Sequence, residues 1–248
     1  MKLLLASLLL FLFCSISRVW SYEIPKSTSF RSGGKPITVE WFAPQVGPGA
    51  QTKKLPVVVI LHGCGGLDDS GGFFRDLAIA IAKHGRAAAI VHYMDRNGLK
   101  QMNSGFGPYF GGWLATIGDS LSYIEKQPFA DSNNMSLLGH SLGAQLALQL
   151  AAKDKRVESI VDMAGCFVLP TNKVTRMPPV LILHGKADTI VPLAREKALV
   201  SVLKRVGSKY EEHIFPKGDH VFNNVGFDEL VGYTNQFLDR HNQPPPAN

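Results

Sequence analysis

Ser141, Asp188 and His220 are the residues whose types, order and surroundings could together carry nucleophilic chemistry. Ser141 stands at the centre of Gly139-His140-Ser141-Leu142-Gly143, a G-x-S-x-G run. A short apolar stretch, Asn134 to Leu138, precedes it, and a helix-like run rich in alanine and leucine, Ala144 to Ala151, follows. This reads as a strand that turns sharply into a helix with serine at the apex. The glycines leave room for a strained turn that lifts the hydroxyl above the sheet. An ordinary glycine-rich turn would give the same five letters, so the motif needs partners. A serine hydroxyl is a weak nucleophile at neutral pH and requires a base, which in turn requires a group to orient it and stabilise its charge. Asp188 follows the apolar run Leu181 to Leu183 through a short loop, and His220 follows Phe215-Pro216-Lys217-Gly218-Asp219. Both stand just past the end of an expected strand.

Other residues compete for these roles. His140 adjoins the serine in sequence, so its side chain points away and packs beside the turn. His62 and His184 end strands in His-Gly turns and read as hydrogen-bonding structural residues. Asp219 could be mistaken for the acid because it adjoins His220, and Asp162, inside a strand-like run, is the reserve. Arg96, in Asp95-Arg96-Asn97-Gly98, is a candidate substrate-binding residue that could grip a carboxylate through two N–H groups; a solvated loop arginine is the alternative.

The elements that must position these residues alternate between strand and helix. Strands are expected at Pro36 to Phe42, Pro56 to Leu61, Arg86 to Tyr93, Asn134 to Leu138, Glu158 to Met163, Pro179 to Leu183 and Lys209 to Phe215. Helices are expected at Phe73 to His84, Trp113 to Gln127, Pro192 to Val206 and Phe227 to Arg240, besides the one after Ser141. Pro56 to Leu61 is continuously apolar and mostly β-branched, as in a strand covered on both faces. Met94 to Gly112 reads as a long glycine-rich loop, a candidate wall or lid whose Phe106, Tyr109 and Phe110 either line a pocket or pack the loop down. The pattern predicts a doubly wound, mostly parallel sheet of about eight strands flanked by helices, with its site at the strands' C-terminal ends.

Composition narrows the function classes. At 248 residues and 45% hydrophobic, the chain suits one catalytic domain with a sizeable core, residues 22–241, and a loose proline-rich tail at 242–248. Met1 to Ser21 has one Lys2, an apolar run from Leu3 to Phe13 and a more polar end, the layout of a secretory signal peptide cut before Tyr22 or after Ser17. A buried N-terminal helix or a retained anchor are the alternatives. The run is too short to span a bilayer, and Phe13 before Cys14 fits a lipid-modified cysteine poorly. The expectation is an exported protein, periplasmic or secreted. Without Lys2 and Arg18, 24 basic residues face 20 acidic ones, and they are scattered, which argues against nucleic acid as a partner. No Cys/His ligand spacing points to a metal. Cys64 and Cys166 both follow expected strands and could pair across the same sheet edge or remain free thiols.

From about Pro36 to Arg240 the chain resembles an α/β-hydrolase of the dienelactone hydrolase family. The resemblance rests on His62-Gly63-Cys64-Gly65-Gly66-Leu67, Gly139-His140-Ser141-Leu142-Gly143, His184-Gly185-x-x-Asp188-x-x-Val191-Pro192 and Gly218-Asp219-His220-x-Phe222. The order Ser, Asp, His along the chain is that of this fold. The resemblance implies an oxyanion hole built from the backbone N–H groups of Leu142 and of Cys64, with Gly65 as alternative donor. The namesake enzymes carry cysteine as nucleophile; serine here shifts the expectation to ordinary ester hydrolysis. The expected substrate is a small carboxylic ester or lactone, cleaved without cofactor. An acyl-peptide or C–C bond hydrolase on the same three residues, or a binding module without turnover, are the rival readings.

Overall fold

In the computed structural model, residues 24, 26–44, 53–68, 70–168 and 170–243 are described; the expected signal segment, Cys14 and the end of the tail lie outside them. One eight-stranded sheet runs through the described chain. Its strands are β1 (Ser27–Ser32), β2 (Lys35–Phe42), β3 (Leu55–Leu61), β4 (Ala87–Val91), β5 (Ala130–His140), β6 (Val157–Met163), β7 (Val180–Gly185) and β8 (Tyr210–Phe215). Their spatial order is β1-β2-β4-β3-β5-β6-β7-β8. The β1/β2 and β2/β4 pairs are antiparallel and all others parallel. Every residue of β3 is buried, as its unbroken Leu-Pro-Val-Val-Val-Ile-Leu demands. Each such side chain removed from water contributes about 1.5–3 kcal/mol, and the strand therefore anchors both faces.

Two cores cover the sheet. On one face pack α2 (Gly107–Ile124), α3 (Leu142–Ala151) and α4 (Leu193–Val206), through Trp113, Leu146 and Leu199 among others. On the other pack α1 (Gly71–Lys83) and α5 (Phe227–His241), through Phe74, Leu77, Leu230 and Phe237. Gly207 at φ 68° ends α4 in the left-handed conformation expected of a glycine stop. From β3 the chain crosses to β4 on one side and then returns to place β5 on the other. Such a reversal opens a crevice at the strands' C-terminal ends, between the loops after β3 and β5.

Three expectations change. The polar lead-in contains β1, an edge strand that buries only Phe30 and Ser32. Helix α2 begins at Gly107 and not after Gly112, with Pro108 in its first turn, where a missing N–H costs nothing. Tyr109 and Phe110 are thus helical and pack on the core, Tyr109 stacking on Trp113 at 5.5 Å. The tail is fixed further than expected: Asn242 is buried, its Nδ2 donates to Asn134, and its carbonyl accepts from Arg86 Nε at 2.8 Å.

Candidate active site

The apex of the elbow is strained. Ser141 has φ 53° and ψ −115°, outside the regions an L-residue normally occupies. Its N–H is tied to the Met163 carbonyl at 2.9 Å, and its own carbonyl accepts from Gln145 N–H at 3.0 Å as α3 begins. The flanking glycines are compulsory here. A Cβ on Gly139 would lie 2.4 Å from Ala144 N, and one on Gly143 would lie 2.1 Å from Leu61 O. The helix start is pressed against the ends of β3 and β5, and nothing larger than hydrogen fits between them.

Ser141 Oγ lies 2.9 Å from His220 Nε2, and His220 Nδ1 lies 2.8 Å from Asp188 Oδ2. A neutral imidazole carries one N–H. With Asp188 accepting, the proton sits on Nδ1, and Nε2 is left to accept the serine hydroxyl. The other Asp188 oxygen accepts the backbone N–H groups of Ile190 and Val191, both at 2.8 Å. The Asp188 side chain is fully enclosed, whereas His220 keeps 14% of its side chain exposed, so the imidazole is reachable from outside while the carboxyl is not. His184 Nε2 donates to the Val191 carbonyl at 2.8 Å and lies 3.5 Å from Asp188 Oδ2, bracing the loop that carries Asp188. Burial holds the His184 imidazolium below its usual range.

The loop after β3 lies over the elbow. Gly63 is so close that a Cβ there would be 3.0 Å from His140 Nδ1 and 3.4 Å from Ser141 Cβ. Gly66 N–H closes a turn onto the Gly63 carbonyl at 3.1 Å. Because a trans peptide points its C=O and N–H oppositely, the Cys64 N–H is turned out of that loop. Met102 N–H donates to the Cys64 carbonyl at 2.8 Å, and Gly66, at φ 72°, packs against the Lys100 carbonyl. The segment between β4 and α2 therefore walls this turn, as its length suggested. Leu142 is the first residue of α3, where backbone N–H groups have no partner within the helix. His62 stacks on Tyr93 at 4.4 Å, and Tyr93 Oη donates to the His62 carbonyl.

The other candidates sit elsewhere in the network. Arg96 is not a carboxylate clamp in this arrangement: its Nη1 donates to Ser32 at 2.9 Å and its guanidinium fills the space left by Gly33 and Gly112. That bond holds the Arg96 segment to the end of β1, and Thr116 of α2 joins it, its hydroxyl 2.9 Å from Ser32 Oγ. Asp219 turns to its own loop, accepting from the N–H groups of Val221 and Asn223. Cys64 and Cys166 are free thiols, and burial raises the Cys166 pKa, with Asp162 adding to the rise. Sequence reasoning missed the bond from His140 Nε2 to the His220 carbonyl, at 2.8 Å. No group of acidic, His or Cys residues among those described could hold a metal ion.

Asp162 is wholly buried, and neither carboxyl oxygen has a full hydrogen bond among the described residues. Burial, reinforced by the negative charge of Glu196, pushes its pKa up to about 8, while the nearby Gly165 N–H pulls weakly the other way. An unfolded aspartate titrates near about 3.9. Between these values the folded chain holds one more proton than the unfolded chain, so stability falls as pH rises, by about 1.4 kcal/mol per unit. In urea titrations, Asp162→Asn is expected to gain stability over the wild type steadily from pH 4 to about pH 8 and no further above it. A gap that does not vary with pH would contradict the buried neutral acid.

Residues 43–243 match the model of the dienelactone hydrolase family. A protein of Salmonella typhimurium provisionally named a carboxymethylenebutenolidase is 23% identical over 214 residues, covering 79% of this chain and 77% of that protein. A provisionally named dienelactone hydrolase from Klebsiella pneumoniae superposes with TM-score 0.67 at 18% identity, over 86% of this chain and 95% of that one. An alpha-beta serine hydrolase homologue from Coxiella burnetii gives TM-score 0.67 at 19% identity, over 88% and 100% of the two chains. The fold is that of the α/β-hydrolases, and the chain belongs to the dienelactone hydrolase family of hydrolytic enzymes.

Proposed function

We propose that this hydrolase cleaves carboxylic esters or lactones through an acyl-enzyme on Ser141. The observation that carries the reading is the unbroken chain of hydrogen bonds from Ser141 Oγ through His220 to Asp188, at 2.9 and 2.8 Å, on a strained elbow. Ser141 Oγ attacks the acyl carbonyl while His220 Nε2 takes its proton. Asp188, held by two N–H groups, keeps the imidazole oriented and stabilises the imidazolium. The N–H groups of Cys64, or of Gly65, and of Leu142 receive the developing oxyanion, each donor being worth about 2.7–4 kcal/mol in the transition state. His220 then protonates the departing alkoxide, which leaves as alcohol, or stays tethered when a lactone ring opens. Water, deprotonated by His220, releases the acid.

Serine in the elbow favours esters with ordinary alcohol leaving groups. The Salmonella typhimurium relative's name adds support for a lactone or ester substrate. With Arg96 engaged beneath the β1–β2 turn, it is not part of the proposed substrate site. The catalytic unit in this reading is residues 22–241, exported by the segment before Tyr22, whose apolar run and polar end motivate the assignment.

On a p-nitrophenyl ester, Asp188→Asn is expected to lower kcat by roughly 10⁴-fold while leaving the fold intact, because the imidazole then adopts the wrong tautomer. Unchanged turnover would remove Asp188 from the mechanism. The mass of protein recovered from the exporting cells is expected to correspond to a chain starting at Tyr22; recovery of the full-length chain would refute the processing.

A further inference from the structure

We infer that His140, the residue before the nucleophile, is a positioning residue that clamps the backbone of the base to the nucleophile's strand. The inference rests on the reading of Ser141 and His220 given above. At the elbow, consecutive side chains leave in opposite directions. Ser141 reaches the His220 imidazole, and His140 reaches behind it to the His220 carbonyl at 2.8 Å. A carbonyl can only accept, so His140 Nε2 carries the proton and Nδ1 is bare, facing Gly63 of the turn after β3. One imidazole thus touches the base loop and the turn proposed to hold the oxyanion, while its own backbone carries the nucleophile. Phe74 and Phe222 stand 6.2 Å from it and the His220 ring 5.2 Å, which fixes the ring plane.

The base loop needs such a grip. Phe222, two residues on, has φ 61°, and the Asp219 carboxyl ties the loop only to itself. Ala187 N–H to the Gly218 carbonyl, at 2.9 Å, ties it to the acid loop. Among the described residues, the hydrogen bonds from the nucleophile's strand and elbow to this loop are Ser141 to the His220 ring and His140 to the His220 backbone. The first must break and re-form in each turnover, so the second carries the registration. A part of His140 reaches the surface, yet burial lowers its pKa to about 4, which keeps the ring neutral at working pH. The other charges facing it are those of His220 and Asp188, which act in opposite directions.

The test compares His140→Phe, which keeps a ring and loses the donor, with His140→Gln, which keeps a donor of similar reach. On a p-nitrophenyl ester, His140→Phe is expected to lower kcat about 10- to 100-fold with KM little changed, the cost of a misplacement of about 1 Å. His140→Gln should recover most of the loss. The second readout is the downfield proton signal of His220 Nδ1–H, assigned by its loss in His220→Gln. It should broaden or vanish in His140→Phe and persist in His140→Gln. If His140→Phe does not fold, Gln against Asn carries the comparison, since Asn is one methylene too short to reach. Wild-type kcat and an unchanged signal in the donor-less variant would overturn the inference, as would equal impairment by Gln and Phe. Failure of the underlying reading is a separate result: Ser141→Ala would then retain wild-type turnover whatever His140 does.

Discussion

Ser141 is held at φ 53° and ψ −115°, a backbone conformation that costs an L-residue on the order of 1–3 kcal/mol and survives only where its surroundings leave no alternative. Those surroundings are the ends of β3 and β5 and the first turn of α3, brought within contact of one another by Gly139 and Gly143. A relaxed serine at this point would let α3 drift from the sheet and would drop the hydroxyl toward it. The strain thus aims Oγ, and the buried apolar strands on either side supply the stabilisation that holds it. The geometry of Ser141 follows from close packing of backbone on backbone.

The remaining parts converge because parallel strands end on one edge of the sheet. β3 delivers the turn at Gly63 to Gly66, β5 Ser141, β7 Asp188 and β8 His220. Neighbouring segments are then stitched by hydrogen bonds, Met102 to Cys64, His140 to His220 and Ala187 to Gly218, and the loop after β7 is tied to its own strand by His184 to Val191. None of these side chains or amides need touch a substrate. Each fixes a stretch of backbone beside Cys64, Asp188 or His220.

Much of this was legible in the sequence. The stretches that bring Ser141, Asp188 and His220 together stand out because each has glycine or a short loop soon after an apolar strand, and such patterns are local. The central strands β3, β4 and β7 were legible because a buried parallel strand is written as a continuous apolar run, and the antiparallel β2 because its buried residues alternate. What escaped was non-local. β1 is an edge strand with one face wet, so Ser27 to Ser32 looks like any polar segment. Gly111 and Gly112 read as loop because intrinsic propensity disfavours them in a helix, but the guanidinium of Arg96 packs where a Gly112 Cβ would stand. The same contact explains why a loop arginine that seemed free for substrate is not. The His140 bond could not be read at all, since residues 140 and 220 meet only after five elements have folded between and around them.

The central claim is that Ser141 is an activated nucleophile. It is tested most directly by treating the folded protein with a fluorophosphonate and locating the adduct by peptide mass mapping. The account predicts one stoichiometric adduct on the peptide containing Ser141, formed by native protein and not by protein unfolded in guanidinium. No adduct on well-folded protein, or an adduct mapped to a different residue, would contradict it.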